Sequence, residues 1–218
     1  MEVFKIEGVL GYSFVFFSLK FTVYGLLLML PTYLNEELLK NHETKSNNSF
    51  IANTMSSIEV GSIFGGLILG HLSDLTYQKR SPIIMISLSI SSISLLYLTL
   101  SIKTLYNETT NGHLIIQILL ILIGCNCGGL LHLVAITCSS DLGTKTKAVS
   151  SVTGVIDSFG TFGACIGQLI FAFSIKNYGW QNGYLMVMFF VLNLAFFPML
   201  PIFCRELSEI KQIKADRK

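Results

Sequence analysis

The sequence predicts an all-α membrane protein, a bundle of six transmembrane helices, and three observations carry that prediction. Of the 218 residues, 51% are hydrophobic and only 13% charged, against roughly 25% charged in an ordinary soluble domain. The mean hydropathy is +0.62. Apolar residues gather into six runs, each near the ~20 residues needed to cross the hydrocarbon core of a bilayer. Basic residues collect at alternate links between those runs, the asymmetry that orients membrane helices.

The first run, 9–33, is too long for a cleaved signal peptide, contains Lys20 and lacks a cationic leader with a small-residue cleavage site, so it is expected to remain as a helix. The second, 52–73, carries Gly61, Gly65, Gly66 and Gly70 at spacings that let helix backbones approach closely. A short link, 74–80, forces a tight hairpin into the third run, 83–102. The fourth, 114–138, contains Asn126 and His132, which are expected as satisfied polar residues between helices. Gly160, Gly163 and Gly167 repeat the small-residue pattern in the fifth run, 149–175, which also holds Asp157. The sixth, 183–204, closes the bundle, and 205–218 reads as a cytoplasmic tail.

The termini and the second and fourth links carry Lys5, Lys79, Arg80, Lys145, Lys147, Arg205, Lys211, Lys214, Arg217 and Lys218, whereas the other links hold Lys40, Lys45, Lys103 and Lys176. The positive-inside rule therefore places both termini in the cytoplasm. Two glycosylation acceptors, Asn47 in Asn47-Asn48-Ser49 and Asn107 in Asn107-Glu108-Thr109, fall in the first and third links, both non-cytoplasmic by this topology. A glycoprotein of the secretory route is expected.

A net charge of +2 without a basic cluster argues against nucleic acid as a partner. Cys125, Cys127, Cys138, Cys165 and Cys204 lie in or beside apolar runs and read as small core residues. Cys125 and Cys127 resemble a metal pair, but residues two apart on a helix diverge, and no second Cys/His pair follows, so no metal or other cofactor is expected. The chain has neither a Gly-x-Ser-Gly nucleophile nor a His-Glu-x-x-His zinc motif, and no channel filter of the Asn-Pro-Ala or Thr-Val-Gly-Tyr-Gly type. An enzyme and a channel are the weaker readings.

Lys20 sits near the middle of the first run, where an ammonium costs about 2.5–3.5 kcal/mol on insertion scales. Three partners could compensate it: Glu59, about two turns into the second helix; Asp157, about two turns into the fifth; or an anionic ligand in a water-filled cavity. Tyr24 follows one turn later on the same face.

The string Gly70-His71-Leu72-Ser73-Asp74, followed by Lys79-Arg80, resembles the loop signature of the major facilitator superfamily, departing from it at Tyr77 and Gln78. Leu19-Lys20 through Tyr24, Leu30-Pro31-Thr32-Tyr33-Leu34, Glu59-Val60-Gly61 with Gly65-Gly66, Asp141-Leu142-Gly143 and Ala148 through Asp157 with Gly160 and Gly163-Ala164 together resemble the sugar-phosphate exchangers of the organophosphate:phosphate antiporter family. The likeness runs in order through the chain and covers only the second, C-terminal half of those proteins.

The resemblance implies a bundle equivalent to helices seven to twelve of such a transporter, exchanging phosphorylated sugar for inorganic phosphate by alternating access. Lys20 would be the second-half cation for the substrate phosphate, with Tyr24 beside it. Asp74, Lys79 and Arg80 would form the gating loop, and Glu59 and Asp157 would supply gating or structural acids. The Gly-x-Gly that commonly follows the acidic position in the family is Ser158-Phe159-Gly160 here, with a bulky Phe159. The implied partners are the bilayer and another six-helix half, either a preceding N-terminal one or a second copy, and the implied location is the endoplasmic reticulum membrane. The alternative is a half-length fragment or isoform that does not transport and acts only through a partner half.

Overall fold

In hydrocarbon every backbone N–H and C=O must be satisfied within the protein, and a sequence without strand-like alternation can do this only as helix. The computed structural model describes residues 3–6, 8–38, 45–76, 79–107, 110–146 and 148–216, and these are helical almost throughout. Helix α1 (Val9–Tyr33) begins after Gly8, whose φ of 94° lies in the left-handed region that glycine adopts without strain. It continues into a π-helical turn, Leu34–Leu38. Next come α2 (Lys45–Leu75) and α3 (Ser81–Asn107). One long rod then combines α4 (Thr110–Ile123), α5 (Gly129–His132) and α6 (Ser139–Thr146), joined by π-helical turns at Gly124–Gly128 and Leu133–Cys138. The chain ends with α7 (Val149–Trp180), a π-helical turn at Gln181–Met186, α8 (Val187–Leu194) and α9 (Phe196–Asp216).

Among the described residues, five stretches are long and apolar enough to cross a membrane. The fifth, Val149–Gln212, is 64 residues long. As a straight helix it would extend about 96 Å, roughly three times the ~30 Å hydrocarbon core. It is broken at Gly179, whose φ of 76° and ψ of 175° leave the helical region. The backbone reverses there, so that Gly183 lies against the Ser174 carbonyl and the Ile175 amide. The open link expected between 175 and 183 is thus reduced to one non-helical residue, and α9 runs past Cys204 as helix rather than stopping there.

Ring contacts define one end of the bundle. Phe50 at the start of α2 meets Tyr106 near the end of α3 at 5.8 Å and His113 in α4 at 4.6 Å, while Tyr33 closes on Trp180 at 5.7 Å. At the other end, polar contacts join the α2–α3 link to α6 and α9. Asn47 and Asn107 therefore belong to the first end and Lys79 and Arg80 to the second. The side chains of Asn47 and Asn107 lie outside the described residues, as do Thr109, Lys40, Tyr77, Gln78, Lys147, Arg217 and Lys218.

Packing follows the small residues. A Cβ at Gly65 would overlap the Cys125 carbonyl oxygen, and one at Gly61 the Ile121 carbonyl, so α2 rides directly on the backbone of the fourth rod. Gly160, Gly163 and Gly167 of α7 receive the rings of Phe16, Phe17 and Phe21 from α1. Leu67, Ile93, Leu169, Phe173 and Phe197 point outward and exposed, as a lipid-facing surface requires. Some buried serines bond within their own helices: Ser13 donates to the Val9 carbonyl at 2.7 Å and Ser91 to that of Ser87 at 2.7 Å. Asn126 likewise donates to the Leu122 carbonyl at 2.8 Å. His132 is exposed and touches Gly66.

Candidate functional site

Helices α1 and α7 both start at the polar end and run side by side, which places their central turns in register. Lys20 Nζ donates to Asp157 Oδ1 at 2.6 Å and to Thr161 Oγ1 at 3.3 Å, and lies 4.9 Å from the centre of the Phe16 ring. Asp157 and Thr161 are four residues apart and so share one face of α7. Only 14% of the Lys20 side chain is exposed, against 60% for Asp157. The ammonium is held inside the wall while the carboxylate reaches the open face.

Of the two carboxylates considered for Lys20, Asp157 is the one the fold brings to it. Glu59 is elsewhere: it lines a separate crevice of about 260 Å³ between α1, α2 and the π turn of the fourth rod, with Ser62, Cys127 and Gly128. Among the described residues Glu59 has no ion-pair partner. Tyr24 shares a groove with Lys20. Together with Leu28 of α1 and Thr161, Ala164, Cys165 and Gln168 of α7, Lys20 and Tyr24 line an open groove of about 240 Å³.

The polar end holds a second cluster. Buried Arg80 donates from Nε to Asp141 Oδ2 at 3.0 Å, and from Nη1 to Asp74 Oδ1 at 2.7 Å and Ser73 Oγ at 2.9 Å. Burial opposes its charge, but the hydrogen bonds and charges of Asp74 and Asp141 outweigh that and raise its pKa above the ordinary arginine value. Lys79 bonds to Glu209, and Ser81 Oγ donates to Glu206 Oε2 at 2.6 Å. Asp74, Lys79 and Arg80 lie together at this end, and Lys79 and Arg80 have partners on α9 and α6.

Sequence reasoning did not single out Thr161, Gln168, Glu206 or Glu209 and treated Asp141 only as part of a motif. Thr161 was detectable as the residue one turn beyond Asp157. Glu206 and Glu209 are distant in sequence from the α2–α3 link and become its partners only when α9 folds back beside α3. Among the described residues no group of three His, Cys, Asp or Glu side chains could hold a metal.

Long apolar helices, packed through glycines and holding a cation–carboxylate pair at mid-depth, define a multi-pass helical membrane protein. The chain belongs to the Major Facilitator Superfamily, whose family model matches residues 12–216. It is 29% identical over 216 residues to sugar phosphate exchanger 3 of Mus musculus, covering 95% of this chain and 40% of that protein. The corresponding protein of Gallus gallus is 29% identical over 220 residues, covering 98% and 40%. Glucose-6-phosphate exchanger SLC37A1 of Mus musculus is 31% identical over 192 residues, covering 85% of this chain and 33% of that protein. The chain thus spans about two fifths of the length of the curated relatives it matches. No solved structure matches it significantly.

Proposed function

We propose that this chain is the six-crossing, C-terminal half of a sugar-phosphate transporter, in which α1 and α7 line the substrate path and Lys20 binds the phosphate group. The observation that carries the reading is Lys20 itself, an ammonium in the middle of a membrane helix that opens onto a groove. The two arms of the 64-residue stretch on either side of Gly179 are the fifth and sixth crossings. A partner half, preceding this one or supplied by a second copy, covers the groove and completes alternating access.

Asp157 acts as the internal stand-in for the substrate anion. When the site is empty it neutralises Lys20, and an arriving phosphate displaces it into the open groove, where its exposure tolerates a solvated carboxylate. The empty cation is compensated by this contact, so a bare charge does not by itself enforce exchange. The names of the relatives support exchange of a sugar phosphate, and inorganic phosphate as the counter-substrate is what the family resemblance implies. The cluster around Arg80 ties the α2–α3 link to α6 and α9 and serves as the gating end. By the distribution of basic residues that end and both termini face the cytoplasm, and Asn47 and Asn107 lie on the glycosylated side. The endoplasmic reticulum membrane is the proposed location.

Vesicles reconstituted with the chain and loaded with phosphate test this directly. Where a second copy completes the path, counterflow of labelled phosphate or glucose 6-phosphate is expected from the chain alone, and its loss in Lys20→Ala identifies the site. No counterflow by the unaltered protein refutes transport by this chain, whereas counterflow that survives Lys20→Ala refutes the site.

A further inference from the structure

The groove holds one polar side chain that the anion site does not use. Gln168 lines it on α7, and both its Nε2 and its Oε1 are buried without a hydrogen-bond partner among the described residues. A buried amide left wholly unsatisfied is rare, because dehydration costs it two donors and an acceptor with nothing in return. Thr161, which touches the Lys20 ammonium, is seven residues before Gln168 on the same helix, two turns or about 10 Å along its axis. Tyr24 and Leu28 of α1 line the same groove.

We propose that Gln168 is the specificity-determining residue for the sugar moiety, donating to and accepting from hydroxyl groups of a phosphorylated hexose whose phosphate is held at Lys20. This rests on the proposed function and assigns the neutral end of the same site. An amide suits a hydroxyl because each can donate and accept, and its lack of charge leaves the anion balance at Lys20 untouched. A groove of about 240 Å³ has the volume of about eight waters at ~30 Å³ each, which is more than a single bridging water fills and enough for a sugar ring. The two-turn separation also selects by length. A three-carbon phosphate anchored at Lys20 stops short of Gln168, whereas a hexose phosphate reaches it. Contact requires the buried Nε2 and Oε1 to turn toward the groove.

Titration of the purified full chain in nanodiscs with glucose 6-phosphate, glycerol 3-phosphate and inorganic phosphate tests this. In Gln168→Leu the affinity for glucose 6-phosphate is expected to fall about tenfold, 1.4 kcal/mol, while the affinities for glycerol 3-phosphate and phosphate stay within twofold. Its melting temperature is expected to hold or rise, since an unsatisfied amide has been removed. Gln168→Met, unbranched and of similar length, gives the same comparison if the leucine variant does not fold. Equal losses for all three ligands, or no loss for glucose 6-phosphate, overturn the assignment of Gln168 and leave Lys20 as the anion site. If the unaltered chain binds none of the three, the proposed function fails and this inference falls with it.

Discussion

Asp157→Asn separates the two roles given to the Lys20 pair, because it keeps the shape and removes the charge. Two unit charges about 4 Å apart interact by about 4 kcal/mol at an effective dielectric of 20. Asp157 is 60% exposed, so solvent screening reduces its contribution to about 1 kcal/mol, the upper part of the range for exposed pairs. For a chain of this length that is a fall of about 2–4 °C in melting temperature. Lys20→Met is expected to cost less, since it removes the poorly solvated partner, 14% exposed, and leaves a carboxylate already facing the groove. The binding effects run the other way. Removing the competing carboxylate strengthens phosphate binding, and relief of about 1 kcal/mol corresponds to roughly fivefold, whereas Lys20→Met abolishes binding. Thermal melts and phosphate titrations of the two variants and their double check both halves. The reasoning is refuted if Lys20→Met binds phosphate as the unaltered chain does, or if folded Asp157→Asn binds it more weakly.

Two further outcomes concern the frame around the site. Gly65→Ala pushes a methyl group into the Cys125 backbone and is expected to lose about 1–3 kcal/mol through overpacking, whereas Gly154→Ala, with nothing within 4 Å, is expected to gain about 0.5–1 kcal/mol from helix propensity; melting curves read the contrast. Arg80→Lys keeps the charge but cannot reach Asp74, Ser73 and Asp141 together. Faster amide exchange confined to 73–84 and 139–146 is expected, and unchanged exchange there removes Arg80 from its tethering role.

The helical rods were legible because their cause is local. A run of about 20 apolar residues crosses a bilayer whatever surrounds it, and Lys20 stood out within its run because a charge at that depth demands compensation. Other features depended on neighbours brought from afar. The extra length of α9 was hidden because 205–216 is polar, and polarity marks where a membrane helix leaves lipid rather than where it stops being helical. Gly179 was one of 18 glycines, and only its positive φ and the packing of Gly183 on Ser174 distinguish the one that turns the chain.

By itself the sequence determined the solvent, the helical class and the existence of a buried cation needing a partner, since each depends on composition and spacing along one helix. Tertiary structure alone decided which partner. Glu59 and Asp157 each lie about two turns into their apolar runs and present the same carboxyl chemistry, so the count of turns does not separate them. The glycines of α7 admit the phenylalanines of α1 and bring Asp157 to Lys20, while those of α2 dock on the fourth rod and leave Glu59 in a crevice of its own. The choice is made by how closely two backbones can approach, which is a property of pairs of helices.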